Sequence, residues 1–313
     1  MASLEPVIRT AGLSKTFRVG FFARKVEALR DCSFAVKQGE IFGLLGPNGA
    51  GKTTTIKILL GFVSPSAGAA FVGGEPAGTP QARKRLGYLP ENPALYEFLR
   101  GDEYLEFAGR LAGLSRAEAR KRCAALLEKV GLGGRADRPI RRFSKGMVQR
   151  LGLAQALVGD PQTVILDEPM SGLDPIGRKD VRDLIFTLRE EGRTVLFSTH
   201  ILSDVEAVCD RVAIMVGGRL TDCGSLSELL SPGVRSVEIV AKGIAAPLLA
   251  ELQAAGAKVA ERDQSQVLTL DSEEAGHRAL RRIVESGARV VSLSPHRQTL
   301  EELFVKRAAQ TVS

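Results

Sequence analysis

Residues Gly46-Pro47-Asn48-Gly49-Ala50-Gly51-Lys52-Thr53-Thr54 satisfy the pattern G-x-x-x-x-G-K-S/T in full. Ile41-Phe42-Gly43-Leu44-Leu45 in front of them is apolar and short enough for a buried strand, and Lys52 to Leu60 behind them reads as a helix. Strand, glycine-rich turn and helix is the context that makes this pattern a phosphate-binding loop rather than a chance match. Gly46, Gly49 and Gly51 let the backbone curl so that successive N–H groups converge on phosphate oxygens. The helix N-terminus adds its positive dipole end. Lys52 supplies a point charge for the β- and γ-phosphates, and the Thr53 hydroxyl is suited to ligate Mg²⁺. The stretch implies a nucleoside triphosphate ligand held by residues 46 to 54.

The bulk of the chain narrows the class further. At 313 residues it has room for one large or two medium domains. Cys32, Cys123, Cys209 and Cys223 lack C-x-x-C spacing, so neither a disulfide framework nor a zinc site is expected, and a reduced cytosolic setting fits. No run approaches the roughly 18 to 20 consecutive apolar residues of a membrane span. Met1-Ala2-Ser3-Leu4-Glu5-Pro6 has neither the basic nor the apolar region of a signal peptide. The net charge of +7 fits nucleotide phosphates, nucleic acid or an anionic membrane surface equally well.

From Val7 to about Leu230 short β-branched runs alternate with helical stretches. Ala69–Val72, Thr163–Leu166, Thr194–Phe197 and Val212–Val216 read as strands. Asp102–Leu114, Arg116–Val130, Gly146–Val158 and Arg178–Glu191 read as helices. Ser115 with Glu118, and Ser225 with Glu228, have capping-box spacing. Alternation of this kind predicts an α/β fold on a largely parallel sheet. The stretch from about 92 to 160 is helix-rich and is expected to form a helical subdomain. Ser231-Pro232-Gly233 breaks the pattern, which divides the chain into residues 5–232 and 233–313. The second part reads strand (Val237–Val240), helix (Pro247–Ala255), strand (Lys258–Glu261), strand (Val267–Leu270), helix (Glu273–Glu285) and strand (Arg289–Leu293). That β-α-β-β-α-β order predicts a small α+β, ferredoxin-like domain, closed by a tail helix over Leu300–Ala308.

A phosphate loop alone is common to kinases, GTPases, helicases and transport ATPases. Four further segments discriminate among them. Thr163-Val-Ile-Leu-Asp167-Glu168-Pro169 is an apolar strand ending in two carboxylates. Asp167 can hold Mg²⁺ there, and Glu168 can act as a base toward water. Ser171-Gly172-Leu173-Asp174 follows it, Phe197-Ser198-Thr199-His200 ends the next strand, and Phe143-Ser144-Lys145-Gly146-Met147 stands upstream at a helix start. With these in order, residues 5 to about 230 resemble the ATP-binding subunits of ABC transporters. The resemblance implies an ABC-type P-loop ATPase that binds ATP with Mg²⁺ and sandwiches two ATP molecules in a homodimer or heterodimer.

Residue by residue, it implies that Phe17 stacks on the adenine, with plain core packing of Phe17 the lesser alternative. It assigns Ser144 and Gly146 to the γ-phosphate held by the opposite subunit, Asp174 to signalling across the dimer, and His200 to the γ-phosphate and the attacking water. The chain departs from the wider pattern twice. Lys145 stands where the signature segment usually has Gly, and Glu91 in Gly87-Tyr-Leu-Pro-Glu91 stands where Gln usually senses metal and water. Both variants are similar to the branch that serves ABC-2-type exporters. That branch implies a separate integral membrane permease, with the ATPase on the cytoplasmic face of the membrane. Leu95-Tyr96-Glu97-Phe98-Leu99 is either its docking patch or buried packing. Nucleic acid is not expected as a partner: the chain has one cassette, no sustained heptads, and an arginine cluster (Arg135, Arg138, Arg141, Arg142) without interleaved aromatics.

Overall fold

The computed structural model describes residues 6–20, 24–230, 234–262, 264–297 and 299–312. In chain order the first part contains β1 (Ile8–Val19), β2 (Arg24–Cys32), β3 (Ala35–Val36), β4 (Ile41–Leu45), α1 (Lys52–Leu59), β5 (Ala67–Val72), β6 (Glu75–Pro76), α2 (Pro80–Lys84) and β7 (Leu86–Leu89). Next come α3 (Gly101–Leu111), α4 (Arg116–Lys129), α5 (Lys145–Leu157), β8 (Thr163–Asp167), α6 (Pro175–Glu190), β9 (Thr194–Thr199), α7 (Leu202–Val208), β10 (Arg211–Val216), β11 (Arg219–Ser225) and α8 (Leu226–Leu229). The remainder holds β12 (Val234–Lys242), α9 (Ala246–Ala254), β13 (Lys258–Arg262), β14 (Ser265–Leu270), α10 (Glu273–Glu285), β15 (Arg289–Arg297) and α11 (Leu300–Val312).

The sheet that carries the phosphate loop has the order β11-β10-β4-β9-β8-β7. It is parallel throughout except for the β10–β11 hairpin. A parallel sheet is covered on both faces, so its strands are continuous apolar runs without alternation. Every residue of β4, β8 and β9 is buried, which is why those three runs are legible in the sequence. A second, antiparallel sheet, β2-β1-β5-β6 with β3 on β1, was not expected. Ala69–Val72 therefore belongs to that sheet and not to the parallel one. β2 escapes a pattern search because six of its nine residues are exposed.

The helices begin where their caps say. Ser115 Oγ accepts from Glu118 N at 3.3 Å, and Glu118 returns a bond to Ser115 N at 2.9 Å. Asp174 accepts from Gly177 N at 2.9 Å, and Pro175 opens α6 three residues earlier than the sequence reading had it. The helix-rich stretch is present as α3 to α5, but its apolar residues do not form a core of their own. Leu105, Leu127 and Leu151 pack in one cluster with Val164, Leu166 and Phe197 of the sheet.

The chain divides into two compact units, Met1–Leu226 with Arg307–Ser313, and Ser227–Lys306. The expected break at Ser231-Pro232-Gly233 lies outside the described residues. In the second unit the sheet order is β13-β14-β12-β15, antiparallel at every step, with the β-α-β-β-α-β succession that the sequence suggests. Its core joins Val237, Ile239, Leu268 and Leu270 from the strands to Leu252, Ala279 and Ile283 from α9 and α10. α10 lies so close to β12 that a Cβ on Gly276 would stand 2.7 Å from Val237 Cβ. Leu300 and Leu303 of α11 are buried within the chain, so packing uses most of the apolar face that a neighbour could have taken. Arg307 reaches Asp222 of β11 with two hydrogen bonds, 2.8 and 2.6 Å long.

Candidate nucleotide-binding site

β4 delivers the chain to the loop at Gly46, whose N–H donates to Thr199 O of β9 at 3.2 Å. A Cβ on Gly46 would come within 2.4 Å of Met215 O. One on Gly51, where φ is +102°, would come within 2.7 Å of Ala28 O. The loop is therefore glycine-dependent for two reasons, close backbone approach at the first position and a left-handed turn as well at the second.

Lys52 opens α1 and is only 5% exposed. Its Nζ donates to Gly46 O at 2.7 Å and Pro47 O at 3.3 Å, and lies 3.2 Å from Glu168 Oε1. The other carboxylate oxygen of Glu168 is 2.9 Å from His200 Nδ1. Lysine, glutamate and histidine thus form one line from the buried loop to the half-exposed rim. Glu168 adopts φ of +49°, which L residues rarely do. Its N–H donates to Ser198 Oγ at 3.0 Å and Ser198 O at 3.2 Å, which holds that turn. Beside it, Asp167 accepts from Ser198 Oγ at 2.5 Å and Thr53 Oγ1 at 3.3 Å. Burial, with the Asp167 charge as a lesser cause, pushes the neighbouring Tyr88 phenol up to about 12.

Lys52, Glu168 and His200 border a cleft of about 510 Å³, whose lining includes neither Gly46 nor Asp167. Phe17, residues 47 to 54, Glu91, Glu168 and His200 all line it. Ser144, Gly146 and Asp174 do not. They line a separate depression of about 320 Å³ with Lys145 and Gly172. Ser144 Oγ is engaged in capping α5 through Met147 N at 3.3 Å. Lys145 lies over Gly172, where a Cβ would stand 2.1 Å from its Nζ. Six contributors escaped the sequence reading. Ser198 Oγ donates to the Asp167 carboxylate and accepts from the Glu168 N–H, Gln149 donates to Pro169 O at 3.0 Å to hold the turn after Glu168, and Val26, Glu27, Ala28 and Ser171 line the cleft. The one available signal was Ser198, a hydroxyl next to Thr199 where the apolar run Val195-Leu196-Phe197 ends.

The residues fit a Mg²⁺-bound triphosphate. The cradle rejects side chains, Lys52 is the buried cation, and Thr53 with Asp167 offers a hydroxyl and a carboxylate, hard oxygen donors of the kind Mg²⁺ prefers. Among the described residues no three His, Cys, Asp or Glu side chains gather as a metal cage. Mg²⁺ is characteristically held by one or two carboxylates, water and the substrate phosphates instead.

The glycine-bound loop, the buried lysine and the strand ending in two carboxylates define a P-loop nucleoside triphosphatase. The chain belongs to the ABC transporter ATP-binding family, and it is an ATPase. Residues 29–171 match the family described as ABC transporter. An uncharacterized ABC transporter ATP-binding protein of Synechocystis is 44% identical over 305 residues, 96% of this chain and 84% of that protein. The Nod factor export ATP-binding protein I of Ralstonia nicotianae is 35% identical over 87% of each chain. Among solved structures, the dimeric structure of a bacterial ABC transporter cassette has a TM-score of 0.64 and 25% identity, covering 70% of this chain and 98% of that one.

Proposed function

We propose that this chain energises export through a separate ABC-2-type membrane permease. It works as a dimer of ATPase subunits, homomeric or heteromeric, on the cytoplasmic face of the membrane. The observation that carries the catalytic part is the Lys52–Glu168–His200 line at the base of the cleft. Lys52 binds the β- and γ-phosphates, Glu168 takes the proton of the attacking water, and His200 holds that water and the γ-phosphate in line. Mg²⁺, when bound through Thr53 and Asp167, neutralises charge on the phosphate oxygens. Phe17 stacks on the adenine. Ser144 and Gly146 line a depression apart from the cleft, which supports their acting on the nucleotide of a second subunit, with Asp174 beside them at the same surface.

No helix among the described residues is long and apolar enough to cross a membrane, so the transport path is assigned to another polypeptide. Its dock is the segment after Glu91. Leu95 and Leu99 pack against the core, whereas Tyr96 and Phe98 are 60% and 84% exposed. The segment therefore anchors through two residues and offers two aromatics. Tyr96 also packs edge-on against Phe107, itself exposed, which extends the apolar surface. The export direction rests on the signature and Glu91 variants and on the relative named for Nod factor export. The experiment is ATPase activity and vesicle transport of the chain co-expressed with its candidate permease. ATP hydrolysis that a Phe98→Ala, Tyr96→Ala variant couples to transport as well as wild type would remove the dock.

Glu91 lines the cleft as an exposed acid. A carboxylate there can ligate metal or accept from water, but cannot donate. Glu91→Gln should retain substantial ATPase activity, and Glu91→Ala should lower it about tenfold or more, in the range of a lost positioning group. An Ala variant with wild-type turnover would make Glu91 a surface acid only.

We assign residues 5–232 to ATP binding and 233–313 to an accessory role in pairing or permease contact. No residue of the cleft lies beyond His200. A chain ending at Leu230 should bind ATP within about threefold of the full chain, the range expected when no ligand contact is removed. Titration calorimetry on a folded truncated chain that shows weaker binding than this would shift the boundary. The loss of the Arg307–Asp222 pair should appear instead as a lower melting temperature.

A further inference from the structure

We infer that Lys15 is a positioning residue for the nucleotide base, holding the Phe17 ring from outside the cleft lining; the inference rests on the base-stacking role proposed above for Phe17. β1 and β2 pair antiparallel, with Phe17 opposite Val26, and both side chains line the cleft. At Phe17 β1 pairs with β2 alone, because its pairing with β5 ends at Ser14. Lys15 stands two residues earlier on the same strand and is not part of the cleft lining. Its Nζ lies over the Phe17 ring, 5.0 Å from the centroid. The same ammonium donates to Ser64 O, beyond the end of α1, at 2.7 Å. One bond thus ties the cation to the loop that follows the phosphate-loop helix, and one cation–π contact ties the ring to the cation.

The consequence is preorganisation. A ring held by a cation on one face keeps its other face for a planar base, with less side-chain freedom to lose on binding. Lys15 touches neither phosphate nor the reacting atoms, so its effect is confined to the half of the ligand that carries the base.

The test uses two ligands that are not hydrolysed, ADP and inorganic pyrophosphate, titrated calorimetrically into the full chain. Lys15→Met is expected to weaken ADP about two- to fivefold, the fold-change of one exposed cation–π contact, while pyrophosphate binds as before. The KM for ATP should rise by the same factor with kcat unchanged, and Lys15→Arg, which keeps a cation over the ring, should restore ADP binding. Unchanged ADP affinity in Lys15→Met, or an equal loss for ADP and pyrophosphate, overturns the inference. Phe17→Ala separates the two layers. If it leaves ADP affinity intact, the base-stacking role itself fails and this inference with it. If it weakens ADP while Lys15→Met does not, only the role of Lys15 is lost.

Discussion

Glu168→Gln should lower ATP turnover by about 10²- to 10⁴-fold, the usual contribution of a general base, while ATP remains bound. Gln keeps the shape of the side chain and loses the basic oxygen. The geometry adds a second effect. In the present arrangement the Glu168 carboxylate takes up Lys52 on one side and His200 on the other. A neutral amide holds Lys52 less strongly, so the cation is released toward the phosphates and ATP should bind at least as tightly as in wild type. With hydrolysis stalled, the proposed dimer should accumulate with two nucleotides enclosed. Light scattering in Mg-ATP should then report twice the monomer mass. A variant that stays monomeric and hydrolyses ATP at the wild-type rate would remove both the base and the sandwich from this chain.

Lys52→Ala should weaken ATP on the order of 10- to 100-fold, the loss expected for a charged hydrogen bond to phosphate, and turnover should fall with it. Two causes add. The loop loses its buried cation, and the Glu168 carboxylate, buried beside it, is left with His200 alone. An acid without its cation at the base of the cleft repels the triphosphate. Lys52→Arg probes geometry at constant charge, because the planar guanidinium has to fit between Gly46 O and Pro47 O. Calorimetry on the Ala variant reporting wild-type affinity would mean that the glycine loop and the helix terminus suffice.

The glycine loop and several strands were legible in the sequence wherever backbone geometry or burial leaves a local signature. Gly46 to Thr54 declares itself because only glycine tolerates the backbone approach of Met215 O and the left-handed turn at Gly51. β4, β8 and β9 declare themselves because burial on both faces demands unbroken apolar runs. The second unit is legible for the complementary reason: its short helices and strands follow one another locally, and α10 runs from Glu273 to Glu285 as the pattern predicts. Local order thus fixed the elements and the fold class.

Only the tertiary structure decided what those elements share. β2 is largely exposed and its charged residues carry no strand periodicity, yet its pairing with β1 brings Phe17 and Val26 to the cleft. Ser198 is 31 residues from Asp167 in sequence and one hydrogen bond away in space, because β8 and β9 are neighbours in a parallel sheet. The helical stretch looks separate along the chain and shares the sheet's core once folded. Leu95 and Leu99 turn inward while Tyr96 and Phe98 turn out, a division that an irregular segment leaves unmarked in its sequence. Ser144 and Gly146 stand apart from the cleft for a related reason. Sequence order names the motifs, but that they line a depression of their own is a property of three-dimensional placement.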